Sequence, residues 1–143
     1  MSDAQDRPVV SPRIDVQFDR PQRRYQAGDR VVVRYTIDEC QGDRIHAVEQ
    51  SMLWYTEGKG EEDLGVHMFR RVADPAMMPP RAAVGDFFAH LPRSPLSYEG
   101  LIVKVRWCVR VRVFFEGARD YVSEHVFEVG DVPPARVVHM RST

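Results

Sequence analysis

A chain of 143 residues holds about one ordinary domain, long enough to bury a substantial core. Its 20 Lys plus Arg against 21 Asp plus Glu leave a net charge of -1, which excludes attraction of the whole molecule to nucleic acid or anionic lipid and makes any electrostatic recognition local. The start, MSDAQDRPVV, has no basic run followed by an apolar one, and no apolar segment reaches the ~20 residues that span a bilayer, so a cytoplasmic protein with no integral membrane segment is expected.

Residues 1–11 are polar, carry a proline and show no period, and are expected to form a disordered lead-in. The fold begins at Pro12. RIDVQF alternates Ile14, Val16 and Phe18 with polar residues, and DRVVVRYTID alternates Val31, Val33, Tyr35 and Ile37 with Arg30, Arg34 and Thr36; both read as half-buried strands. Two further strands, Arg44 to Thr56 and Asp63 to Val72, flank the charged, glycine-bearing tip Glu57 to Glu62. ADPAMMPPRAAVGD is a loop by its prolines and glycine, with Met77 and Met78 expected to cap the end of the core. DFFAHL is a short strand and PRSPLSYEG a proline-punctuated link. The last two strands, Val103 to Phe115 and the RDYVSEHVFEVG run, are joined through EGAR, a tight-turn signal. Residues 133–143 form a tail too short and proline-broken to add a domain. About seven strands with turn signals between them, and no convincing amphipathic helix, predict an all-β fold, an immunoglobulin-like β-sandwich of two packed sheets over residues 12–132.

The strand from Val103 to Phe115 carries the most information. Val103, Val105, Trp107, Val109, Val111, Val113 and Phe115 share one parity and make an unmixed apolar face, which places Trp107 in the core; Trp54 lies on a mixed face and stays undecided. The strand is much longer than the usual ~5 to 6 residues and is expected to bend, bulge or run past its sheet. Lys104, Arg106, Arg110 and Arg112 fall on its other side. If Glu116 pairs with Asp120 across Gly117 to Arg119, then Arg112 faces Glu124, Cys108 faces Glu128 and Arg110 lies diagonal to both glutamates, leaving Lys104 and Arg106 least compensated. The row is then either a solvated face, the default for a half-buried sheet, or a partner-binding surface of Lys104, Arg106, Arg110 and Arg112 for acidic segments.

Cys40 and Cys108 with Trp54 between them imitate the immunoglobulin disulfide spacing, but Cys108 shares its parity with Arg106 and Arg110 and so points away from the core. Two reduced thiols are expected. His46, His67, His90, His125 and His139 show no zinc-ligand spacing, Ser97 and Ser123 lack a nucleophile-elbow context, and the spaced glycines of EGKGEED lie in an acidic connection between strands. Metal, cofactor and catalytic residues are therefore not expected.

Several stretches, in order, resemble the arrestin family: YQAGDRVVV, with Tyr25, Gly28, Asp29 and Val31; the strand bearing Trp54; GDFFAHLP; PLSYEG leading into LIVKVRWCVRVRV; and a terminal FEVGDV. Together they cover about Arg13 to Val132. The resemblance implies an arrestin-type β-sandwich that recruits other proteins, like a bacterial single-domain arrestin-like protein akin to the sporulation-control proteins. The chain departs from the family in having room for one such domain where arrestins carry two, and in Ala27 where the family has proline. It also lacks consecutive lysines near its first strand, so phosphate sensing is not implied.

The expected function is a non-catalytic interaction or scaffold module that recruits protein partners through an exposed sheet edge or the basic face. The alternative is a self-associating structural subunit, a homo-oligomer in which the same edge, or the apolar surplus around Met52, Trp54 and Met68, meets a second copy. A nucleic acid partner is not expected.

Overall fold

The computed structural model describes residues 12–38, 44–73, 83–117 and 119–136. The lead-in at 1–11, Cys40, the Met77–Met78 loop and residues 137–143 of the tail lie outside them. Alternating sequences become the strands β1 (Arg13–Phe18), β3 (Arg30–Asp38), β4 (Ile45–Gly58), β5 (Leu64–Val72), β6 (Ala83–His90), β8 (Val103–Phe115) and β9 (Asp120–Val129). Two further strands, β2 (Arg24–Tyr25) and β7 (Tyr98–Glu99), are two residues each, too short to show a period in the sequence. No helix occurs among the described residues.

A small antiparallel sheet has the order β1-β3-β6, and a larger one the order β2-β9-β8-β4-β5, with β7 pairing against the start of β8. The core lies between them. Val31, Val33, Tyr35 and Ile37 from β3 and Phe87 from β6 meet Val48 and Met52 from β4, the Trp107–Phe115 apolar parity of β8, and Phe127 and Val129 of β9. Strand β8 neither overshoots its sheet nor lies unsupported, because β4 matches its full length, from Ile45 opposite Phe115 to Gly58 opposite Val103. The irregularities fall beside it: His46 is an extra residue of β4 against β8, and His67 an extra residue of β5 against β4.

The register of β8 with β9 differs from expectation by two residues. Phe114, not Glu116, lies opposite Asp120, because the connection is closed one residue earlier on each strand, by the Phe115 N–H donating to the Arg119 carbonyl at 2.8 Å. A slip of two leaves every side chain on its expected face and changes only its neighbours. Arg110 therefore faces Glu124, Arg112 faces Val122, and Cys108 faces Val126.

The motifs that carry the family resemblance turn out to close the sandwich. Trp107 is fully buried, and its indole N–H donates to the Pro95 carbonyl at 2.8 Å. Two residues on, Ser97 holds the end of β9: its N–H donates to the Val129 carbonyl at 2.8 Å, and its hydroxyl accepts the Val129 N–H at 2.9 Å. Gly100 ends the link where a Cβ would strike the Val103 carbonyl. In YQAGD, Tyr25 is buried against Phe18 and Phe127 and donates to the Asp19 carboxylate at 2.6 Å. Asp29 accepts the Gln26 N–H at 2.8 Å and so ties the turn that Gly28 makes at φ 84°. Trp54 is half-buried, packed on the core across from Trp107, and sits over Gly65, where any Cβ would enter its ring.

Because Trp107 joins both the core and the link, Trp107→Ala is expected to destabilise the domain by roughly 3–5 kcal/mol, whereas Trp107→Phe, which keeps most of the packing, loses less. Chemical denaturation checks this, and a Trp107→Ala midpoint near wild type would contradict the assignment.

Candidate functional site

The outer face of the large sheet gathers all the basic residues singled out by the sequence, and it neutralises them. Lys104 lies 3.4 Å from Glu99 of β7. Arg106 donates to Glu57 at 3.0 Å and to Glu99 at 3.1 Å, Arg110 is 2.8 Å from Glu124, and Arg112 is 2.7 Å from Asp120. The expectation that Arg106 is among the least compensated is therefore incorrect, whereas Lys104, whose contact is the longest of the row and shares Glu99 with Arg106, is the least compensated of the four. Arg106 has two carboxylate partners, because β7 and the end of β4 flank β8 where β9 has left it. The Glu57 hydrogen bond, reinforced by Glu99, raises the guanidinium pKa further.

Between the ionic rows runs an apolar one. Val66 of β5, Leu53 of β4, Cys108 of β8 and Val126 of β9 are successive neighbours across four strands. Cys108 does face away from the inter-sheet core, yet it has no exposed surface. Parity reports which face a residue takes, and here a residue on the outer face, between Leu53 and Val126, is nonetheless buried. Burial first, then the nearby Glu124 charge, push the free thiol up to about 12, with Arg110 opposing. An unreactive thiol follows.

The row ends at β5, an edge of the large sheet with no further strand beside it among the described residues. The apolar surplus expected around Met52, Trp54 and Met68 is not a surface: Met52 is fully buried and the other two pack on the core. The exposed residues are instead Leu64, Val66 and Phe69 of β5, at 58%, 54% and 59%. The extra residue at His67 shifts β5's parity midway, which puts Val66 and Phe69 on the same face and hides the pattern from a period-2 reading. The Thr56 N–H donates to the Asp63 carbonyl at 3.0 Å, so the even-numbered residues of β4 turn their backbone groups toward β5. Leu64, Val66, Phe69 and Arg71 lie opposite odd-numbered ones and direct their own N–H and C=O groups to the open side.

The other edges carry charge. β2 pairs with the end of β9, whose outer face also carries Asp120, Glu124 and Glu128. β1 presents Arg13, Asp15 and Gln17. β6 exposes Val84 and Phe88 as well, but with Asp86 between them, and its His90 carbonyl is hydrogen-bonded to His67 Nε2 at 2.6 Å. Ser97 is committed to holding Val129, and Ser123 hydrogen-bonds His125 on the inner face of β9. No group of three or more His, Cys, Asp and Glu able to hold a metal ion occurs among the described residues, nor any helix long and apolar enough to cross a membrane.

Two outcomes follow. Burial, helped by the Arg23 charge, lowers the His125 pKa from its ordinary 6.5. The unfolded chain then takes up a proton that the folded chain resists, so stability is full above pH 6.5 and falls as pH drops through that value. His125→Gln should flatten this part of the curve, measured as melting midpoint against pH. On the outer face, Arg106→Glu would set three carboxylates together, while Arg110→Glu would set two. Each change should cost about 1 kcal/mol, the first more than the second, and salt should narrow the gap, as denaturation at two ionic strengths would show.

No protein-family model and no curated protein matches the chain. Among solved structures it is similar to Spo0M, a sporulation control protein from Bacillus subtilis, at 12% sequence identity and a TM-score of 0.63, over 87% of this chain and 51% of that one. The chain thus spans about half the length of the protein it matches. The likeness is one of fold: the two packed sheets form an arrestin-type β-sandwich.

Proposed function

We propose that the chain is a non-catalytic protein-interaction module of the cytoplasm, and that it takes up an extended protein segment by strand addition at β5. The observation that carries this reading is the nine-residue edge strand whose exposed Leu64, Val66 and Phe69 accompany an outward row of backbone donors and acceptors. From Leu64 to Phe69 it has no Asp, Glu, Lys or Arg, the residues that ordinarily defend an edge. Main-chain hydrogen bonds would supply affinity, and the apolar side chains would select the segment. The basic row of Lys104, Arg106, Arg110 and Arg112 serves as a solvated, internally neutralised face, since an acidic partner would have to displace carboxylates already in place. A regulatory setting such as Spo0M's description names would suit a module of this kind.

A photo-crosslinking residue placed at Val66 in the native cell tests the reading. A discrete protein adduct is expected from Val66, none from a probe at exposed Gln17 on β1, and loss of the Val66 adduct when Phe69→Pro removes an outward N–H. Equal labelling from both probes, or none from Val66, would refute strand addition at this edge.

A further inference from the structure

The strand-addition reading leaves open which strand β5 receives, and β5 itself supplies the complement. We propose that two copies of the chain join β5 to β5, antiparallel, about a two-fold axis between His67 and Met68. The inference rests on the reading above and names its partner.

Charge along the segment is self-complementary. It begins with Glu61, Glu62 and Asp63, continues uncharged from Leu64 to Phe69, and ends with Arg70 and Arg71. An antiparallel copy lays its basic end against the acidic start. In this register Asp63 lies diagonal to Arg70 of the second copy on one face, and Glu62 diagonal to Arg71, which already pairs with Glu49 of its own copy at 3.1 Å, on the other. From Glu62 to Arg71 no like charges are opposed, because Arg70 falls opposite Gly65 and Arg71 opposite Leu64.

Hydrogen bonding selects the same register. Residues that pair across a new antiparallel ladder must both point their backbone groups into it. The outward residues of β5 are Leu64, Val66, Phe69 and Arg71. The two-fold matches Val66 with Phe69 and Leu64 with Arg71, outward with outward at every pair. It also sets the exposed Val66 and Phe69 side chains beside each other on the outer face, covering the apolar surface that each copy leaves open.

The irregularity at His67 separates a second copy from other partners. A regular strand laid along β5 would lose register where the extra residue interrupts the spacing. A second β5 carries the same extra residue at the axis, so the two interruptions coincide. Each copy uses its only β5, so the assembly closes as a dimer with its two large sheets continuous.

Light scattering of the full chain over a concentration series at low salt tests the dimer. The mass is expected to rise from one chain to two, and Phe69→Pro should return it to one chain with the melting temperature retained, since the register turns that N–H away from β4. Arg70→Glu with Arg71→Glu should weaken dimerisation by about tenfold or more, as opposite charges become like charges. Adding Glu62→Arg and Asp63→Arg should restore it. If Phe69→Pro unfolds the chain, the charge reversal and its restoration decide. A wild type that stays a single chain at every concentration, or a dimer indifferent to the charge changes, overturns the proposal. A single-chain wild type that still yields a Val66 adduct with a different protein overturns the dimer and leaves strand addition standing; one that yields no adduct overturns both.

Discussion

A buried tryptophan must place its one N–H on an acceptor, and Trp107 reaches outside its own sheet ladder to do so. The acceptor is the Pro95 carbonyl, in the link that precedes β7. That single bond sets the link across the end of the core, which brings Ser97 within reach of Val129 and Glu99 beside Lys104 and Arg106. The other side of the indole continues into Phe127, and from there into Phe18 and Tyr25, so the two sheets share one aromatic column. Losing Trp107 would therefore release a link, a strand end and a side of the core together.

The same link decides the electrostatics of the outer face. A row of four cations along one strand looks, by itself, like a surface waiting for anions. Their carboxylates come from three other strands, and Glu99 arrives only because the Trp107 bond and the Ser97 clamp hold β7 against β8. Exposed ion pairs of this kind contribute little to stability, yet they remove the field that would attract an acidic partner. The face becomes a neutral cover over Leu53 and Cys108, and that cover stops at β5.

The features that relate this chain to a known fold and its exposed apolar edge at β5 occupy different places. Tyr25, Gly28, Asp29, Pro95, Ser97 and Trp107 make the turns and clamps of an arrestin-type sandwich, and their chemistry is spent inside the molecule. β5, which contributes no motif to the resemblance, has one side unpaired among the described residues and exposes Leu64, Val66 and Phe69.

Strand positions and faces were legible in the sequence, because alternation is a local property: Trp107 belonged inward and Lys104, Arg106, Cys108, Arg110 and Arg112 outward whatever lay beside them. The packed all-β class followed from the same alternation. Neighbours were not legible, since a strand slipped by two residues shows identical faces, and so Arg110 rather than Arg112 came to face Glu124 once the Phe115–Arg119 closure set the register. The burial of Cys108, the carboxylates around Arg106 and the extra residue at His67 share this cause, as each depends on a segment distant in the chain. The free edge is the furthest case: whether a strand has a neighbour is a property of the whole sheet, and no pattern within Leu64–Val72 could carry it.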